Sequence, residues 1–196
     1  MKNRFPLRTA TGAALLALAG AAQAQVKNPD NGHWYEYVSG GISWQDAVSA
    51  AADREFMGMP GYLVTVTSEA ESNFIFASVT TATVWAGGTD SETEGVWKWV
   101  TGPEAGQVFW NGGADGSAPP GAYARWSGGE PNNLGDEDYV HINWSGAAWN
   151  DIPSLNYGFV VEYSPTAPIP EPGTWALMGL GLAGVAAAAR RRRRTD

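Results

Sequence analysis

The sequence contains no cysteine in its 196 residues. That excludes disulfides and thiolate metal sites, so packing and ions must replace the covalent framework on which small secreted domains often depend. Basic side chains are nearly as scarce away from the ends. Between residues 25 and 169 only Lys27, Arg54, Lys98 and Arg125 stand against 18 acidic residues, a net charge of −14. Such a surface repels phosphate backbones and excludes nucleic acid as a partner. The two histidines, His33 and His141, belong to no Gly-x-Ser-x-Gly or His-Glu-x-x-His pattern and read as surface or strand residues. The remaining catalytic candidates are the acidic clusters, as a glycosidase pair about 5–5.5 Å or about 6.5–9.5 Å apart. No groove-forming scaffold accompanies them, and the expectation is that the chain is not an enzyme.

Aromatic residues, by contrast, are abundant. Trp34, Trp44, Trp85, Trp97, Trp99, Trp110, Trp126, Trp144 and Trp149 all fall in one segment of single-domain length, enough to build one core. Trp149 reads as core, while Trp110 and Trp126 are candidates for stacking on a ligand ring. Residues 1–24 read as a secretory signal peptide, with Lys2, Arg4 and Arg8 ahead of an apolar run and Ala22-Gln23-Ala24 as cleavage site. The domain is assigned to residues 25–164. Pro165, Pro168, Pro170 and Pro172 then stiffen a linker at 165–173 toward polyproline II. Residues 174–189 form an uncharged hydrophobic segment, short against the roughly 20 residues that span a bilayer. The arginine-rich tail at 190–196 is expected to stay cytoplasmic, with the body outside.

Within the domain, Trp34 to Val38 reads as a strand, and Ser43 to Arg54 as a helix capped by Ser43, with Trp44, Ala47, Val48 and Ala51 on one face. Tyr62 to Val66 is a short β-branched run. Ser68 with Glu71 makes a capping box that opens a second helix through about Ala77. From Val84 onward the pattern turns to short strands, at Val84 to Ala86, Trp97 to Val100, Tyr139 to Trp144, Ala148 to Trp149 and Phe159 to Tyr163. No repeat of about 20–50 residues is visible, and Asn111 to Gly121 is a Gly/Ala/Pro loop without evident chemistry.

Chemistry concentrates in Glu130-Pro131-Asn132, Glu137-Asp138 and Trp149-Asn150-Asp151, which gather carboxylate and amide oxygens within a short stretch. Hard oxygen donors suit Ca²⁺, which takes about 6–8 oxygens.

Taken in order, Trp44-x-x-Ala47, the Gly61-to-Val66 strand leading to Ser68-Glu69-Ala70-Glu71, Trp85-Ala86-Gly87-Gly88, Glu-Pro-Asn and Trp149-Asn150-Asp151 resemble a C-type lectin domain over residues 31 to 163. The resemblance implies an α+β fold, a C-type lectin-like fold of two helices packed on antiparallel sheets with a long irregular calcium-binding loop region. It also implies that Glu130, Asn132, Glu137, Asn150 and Asp151 hold a principal calcium and share a sugar's two hydroxyls with it, beside a cis peptide before Pro131. Glu-Pro-Asn, rather than the Gln-Pro-Asp of galactose-binding relatives, implies vicinal equatorial hydroxyls of the mannose, glucose, N-acetylglucosamine or fucose type. A second calcium is implied at Asp90, Glu94, Asn133, Glu137 and Asp138, weaker because Asn133 stands where many relatives have Asp, with Glu137 bridging both ions. The family's usual cysteine positions fall on Ala51 with Val161 and Tyr139 with Ser154, so neither disulfide can form.

The end of the chain resembles another family. Pro170-Glu171-Pro172, the apolar run and the arginines together are similar to the PEP-CTERM sorting tail of Gram-negative bacteria. That implies export, transient membrane association, processing by an exosortase, and a place at the cell surface or in the extracellular matrix; a plain membrane anchor is the other reading of the tail. The function expected is calcium-dependent binding of carbohydrate or exopolysaccharide. The alternative is a structural or protein-binding matrix component that uses the same fold without sugar.

Overall fold

The computed structural model describes residues 24–165. Residues 1–23 of the expected signal peptide, the linker beyond Pro165, the hydrophobic segment at 174–189 and the arginine tail lie outside the described residues. Among the described residues no helix is long and apolar enough to cross a membrane.

In chain order, β1 (Val26–Lys27) and β2 (Trp34–Ile42) lead into α1 (Trp44–Ala52). Ser43 caps α1 by accepting from the Asp46 backbone N–H at 3.1 Å, which satisfies one of the helix's free N-terminal donors. Spacing of three and four residues puts Trp44, Ala47 and Ala51 on the buried face. A small hairpin, β3 (Glu55–Phe56) and β4 (Met59–Pro60), follows, then β5 (Tyr62–Leu63) and α2 (Glu69–Phe74), which continues as a π-helical turn at Ile75–Val79. Ser68 caps α2 as expected, but Glu71 does not return the bond to Ser68. Its carboxylate accepts from the Thr67 N–H at 2.7 Å instead. The capping box is therefore half formed, because Glu71 is drawn inward.

The second half is β and loop: β6 (Val84–Thr89), β7 (Val96–Trp99), β8 (Val108–Asn111), β9 (Tyr139–Ser145), β10 (Ala148–Ile152) and β11 (Tyr157–Tyr163). The main sheet runs β1-β2-β11-β6-β7-β8, with β5 added on β11 and β9 carrying β10 from β6. β11 pairs antiparallel with β2 and parallel with β6, so the last strand lies in the middle of the sheet between them. The Gly87-Gly88 pair lets neighbours approach β6: a Cβ at Gly88 would meet Val140 Cγ2 at 2.7 Å.

Two apolar clusters fill the interior. One, under α2, holds Val64, Val66, Ile75, Trp97, Trp99, Phe109 and Trp149. The other, under α1, holds Trp44, Ala51, Leu63, Trp85, Phe159 and Val161. Trp149 is fully buried and meets Trp99, Phe109, Tyr123 and Trp126 edge to face, a geometry worth about 0.5–1.5 kcal/mol per pair beyond area burial.

The two pairs of positions where the resemblance implies cysteines in the family are held by two different devices. Ala51 and Val161 are buried in the same cluster, with Gly61 pressed between them: a Cβ there would sit 2.7 Å from Ala51 O and 2.8 Å from a Val161 methyl. Tyr139 and Ser154 are joined through a side chain instead. Gln45 donates to the Tyr139 hydroxyl at 2.6 Å and accepts from Ser154 Oγ at 2.9 Å. That polar bridge ties α1 to β9 and to the segment after β10.

Several sequence expectations are shortened or moved. The helix at Ser43 ends at Ala52 rather than Arg54, and the Tyr62-to-Val66 run keeps ladder pairing only at Tyr62–Leu63. β1, the β3–β4 hairpin and β8 carry no clear alternation and escape a periodicity reading.

Candidate metal and ligand site

The chain between β8 and β9 has no regular secondary structure over most of its length, yet it is pinned at several points. Trp149 donates its backbone N–H to Arg125 O at 2.8 Å, and Ser127 donates back to Trp149 O at 2.8 Å. The Glu130–Pro131 peptide is cis, as the resemblance implied. Asp151, fully buried at the end of β10, receives the loop: its two oxygens accept from the Asn132 N–H at 3.1 Å and the Asn133 N–H at 2.7 Å. Asn133 and Asp136 take left-handed backbone, φ 49° and 76°, a conformation Asn and Asp tolerate better than most residues.

Around that anchor the candidate ligands gather. Asn132 donates its side-chain amide to Glu130, and its own Oδ1 accepts from the Leu134 N–H at 2.8 Å. Glu137 Oε2 accepts from the same Leu134 N–H at 2.9 Å. Asn150, nearly buried beside Asp151, donates its amide to the Asp151 carbonyl, which leaves its Oδ1 as an acceptor. Glu130 is raised above the usual carboxylate range by partial burial, by the charge and proximity of Asp151 and by Glu137. Glu137 is raised by partial burial and Asp151, against the Leu134 N–H. Glu130, Glu137 and Asp151 thus repel one another, as carboxylates do when they share a space without a cation.

The second cluster lies at the start of the β6–β7 hairpin. Asp90, Glu94 and Asp138 offer carboxylate oxygens all within 4.8 Å of one another. Asp90 is pushed up to about 7, chiefly by burial and further by Glu94 and Asp138. Its Oδ2 accepts from the Gly95 N–H at 2.9 Å, but its Oδ1 is buried with no hydrogen-bond partner. Burying a carboxylate oxygen unpaired is costly. A divalent cation held among these three acids fits that orphaned oxygen. Asn133 lends Glu94 a side-chain hydrogen bond and accepts from the Glu137 N–H at 2.7 Å. Glu137 itself faces Asp151 and Leu134, and is not one of the three clustered acids.

Each of the four basic side chains among the described residues is engaged away from these oxygens. Arg54 pairs with Glu36 at 2.6 Å, Lys98 with Glu92, Arg125 with Asn73 at 2.6 Å, and Lys27 lies over Trp34. Between the two clusters sits a cavity of about 270 Å³ lined by Glu94, Trp97, Gly112, Gly113, Asn132 and Asp151 among others. The Gly/Ala/Pro loop that seemed to carry no chemistry therefore forms one wall of the site. Trp126, partly buried, packs edge to face on Trp97 and Trp149 at the margin of the core, and Trp110 donates to Gly113 O at 3.1 Å. Trp144, which no sequence signal singled out, is the half-exposed tryptophan, stacked on His141.

This fold, with an acidic loop region bound to its last core strands, defines a lectin-type binding domain. The profile described as Lectin C-type domain matches residues 41–161, and that of the PEP-CTERM protein-sorting motif matches residues 168–194. The chain is 41% identical over 150 residues to Halomucin of Haloquadratum walsbyi, covering 72% of this chain and 2% of that protein. It is 30% identical over 122 residues to the hepatic lectin of Gallus gallus, covering 62% of this chain and 49% of that protein. The chain thus spans about half or less of the length of these relatives. A solved structure of a C-type lectin from Cucumaria echinata superposes with a TM-score of 0.54 at 22% identity, covering 76% of this chain and 99% of that one. The chain belongs to the C-type lectin domain family. With the sorting motif at its end, it is an exported lectin-like protein.

Proposed function

We propose that the protein is a calcium-dependent carbohydrate-binding module that is held briefly at the membrane, released by an exosortase, and delivered to the cell surface or extracellular matrix of a Gram-negative producer. Glu130, Asn132, Glu137, Asn150 and Asp151 hold the principal ion, and Asp90, Glu94, Asn133, Glu137 and Asp138 a second. The observation that carries this reading is the orphaned, buried oxygen of Asp90 beside a set of mutually repelling carboxylates that has no basic side chain among it. Bound calcium supplies open coordination positions for two hydroxyls of a sugar. Glu130 accepts a hydrogen bond from one of those hydroxyls and Asn132 donates to it. Asp151 keeps both residues in place through the backbone on either side of Asn132. The Glu130/Asn132 pair favours vicinal equatorial diols of the mannose, glucose, N-acetylglucosamine or fucose type, with an exopolysaccharide as the source.

A glycan array on the full chain, run with calcium and again with chelator, tests the reading. Binding is expected only with calcium, on sugars with such diols, and lost in Asp151→Ala. Binding indifferent to chelation, or none on any glycan, would favour a structural or protein-binding matrix role for the same fold.

A further inference from the structure

Between α2 and β11, two buried glutamates face each other with one imidazole between them and solvent. Glu71 comes from α2 and Glu162 from β11, and both are nearly inaccessible. Their hydrogen bonds divide unequally. Glu71 accepts from Tyr35 OH at 2.5 Å and Asn31 Nδ2 at 3.4 Å on one oxygen, and from Thr67 N–H at 2.7 Å and Thr67 Oγ1 at 3.0 Å on the other. Both of its oxygens are thus fully used as acceptors. Glu162 accepts from the Thr65 N–H at 3.2 Å, and its other oxygen lies 2.5 Å from His33 Nδ1. Tyr35 OH is also 3.4 Å from that oxygen, but its single proton is committed to Glu71 at the shorter distance. The charge of Glu162 therefore depends on the proton that His33 brings.

We propose that His33, Glu162, Glu71 and Tyr35 form a proton-held latch that fastens the entry of β2 to α2 and to the strand preceding the sorting tail, tight in acid and loosened as pH rises. The elements joined are far apart in sequence, and each contributes through these side chains. The groups facing His33 are Glu162 on β11, Glu71 on α2, Tyr35 on β2, and Glu104 in the loop after β7. Tyr62 of β5 also faces Glu162. Glu104, hydrogen-bonded to Thr65 Oγ1 at 2.7 Å, adds a third negative charge and no further cation lies among them. A metal ion could enter only by displacing these hydrogen bonds.

The titration behaviour agrees with the geometry. The Glu162 hydrogen bond raises His33 above its usual value, outweighing partial burial. Burial pushes Glu162 up to about 7, with Glu71 adding to the rise and His33 opposing it. Both folded-state values lie above the unfolded ones. The folded protein then binds more protons, so the latch's contribution is complete in acid and is lost progressively from about 4.5 through about 7 and on through the titration of His33.

Two measurements on the full chain in chelator test the latch. Proton NMR resolves the chain's two histidines, and His141, buried without partners and depressed to about 4, serves as an internal contrast. His33 is expected to titrate above 6.5 and to fall in Glu162→Gln, which keeps a hydrogen-bonding group but removes the charge. In urea unfolding, the unfolding constant of the parent should climb with pH relative to Glu162→Gln, by up to about tenfold per pH unit for each proton that the folded pair holds. Should Glu162→Gln fail to fold, His33→Gln supplies the same comparison from the solvent side. A His33 midpoint at or below 6.5, or parallel pH profiles for parent and variant, would overturn the latch. So would stabilisation by calcium that disappears in Glu162→Gln yet persists in Asp151→Ala, because the cluster would then be a metal site.

Discussion

Two acidic clusters in one small domain resolve the same electrostatic problem in opposite ways. In the loops around Asp90, Glu130 and Asp151, the acids Asp90, Glu94, Asp138, Glu130, Glu137 and Asp151 crowd together with backbone N–H groups and amides as their only internal donors, and one buried oxygen is left unpaired. In the Glu71–Glu162 pair, a phenol, an imidazole, an asparagine amide and three threonine donors complete the set. The first cluster has no basic side chain among it; the second has the imidazole of His33. Burial alone does not separate them, since Asp90 and Asp151 are as inaccessible as Glu162. The supply of donors and of positive charge does.

Several experiments would break or sharpen that contrast. Glu162→Ala should be the most damaging, costing about 3–5 kcal/mol in urea unfolding, because it opens the interior and leaves the Thr65 N–H and His33 Nδ1 without their partner. An effect below about 1 kcal/mol would mean that the pair is not a structural unit. Calcium at about 100 times its Kd should stabilise the parent by about 2.7 kcal/mol. That gain, read as a rise in Tm, should vanish in Asp151→Ala.

Asp90→Asn should act with the opposite sign in the two states. Without calcium, the raised Asp90 holds stability that is complete below its ordinary value near 3.8 and lost as pH rises through about 7. Removing the charge should then stabilise the calcium-free protein above pH 7 by about 1–2 kcal/mol, after allowance for solvent screening, while weakening calcium binding. If it destabilises both forms, the cluster is structural. Calcium affinity itself should fall as pH drops, beginning nearer 7 for the Asp90, Glu94 and Asp138 group than the ordinary carboxylate range implies, because protons compete for Asp90. Calorimetric titration at several pH values measures this. Gln45→Ala, which cuts the Tyr139–Ser154 bridge, should have the smallest effect, about 1 kcal/mol in Tm-derived stability.

Much of the fold was legible because its signals are local. Ser43 and Ser68 as N-caps, the Trp44/Ala47/Ala51 face, and the strands around Trp85, Trp97, Tyr139 and Phe159 rest on periodicity and capping that neighbouring residues decide. The oxygen-rich stretches around Glu130 and Asp151 were legible for a similar reason, since they lie within one loop and the strand after it. The histidine at position 33 was not. Read as a surface or strand residue, it is bonded to a glutamate 129 positions away, and no window of sequence contains both. Trp126, a candidate ligand platform, is partly buried against the core cluster, while Trp144, which was not singled out, is half exposed. The Gly112–Ala114 stretch looked inert because glycine and alanine bring no chemistry of their own; the backbone that they allow is what walls the cavity.

The sequence by itself determined the composition of this protein's problem: no thiols, few cations, a tryptophan-rich core, paired oxygen-rich loops and a sorting tail. Which acids would end with a proton, which with an unpaired oxygen, and which with a histidine was decided only in three dimensions. Charge compensation depends on distances of a few ångströms between residues from different elements, and those distances follow from how β11 returns to lie beside β2 and β6 rather than from the order of residues along the chain.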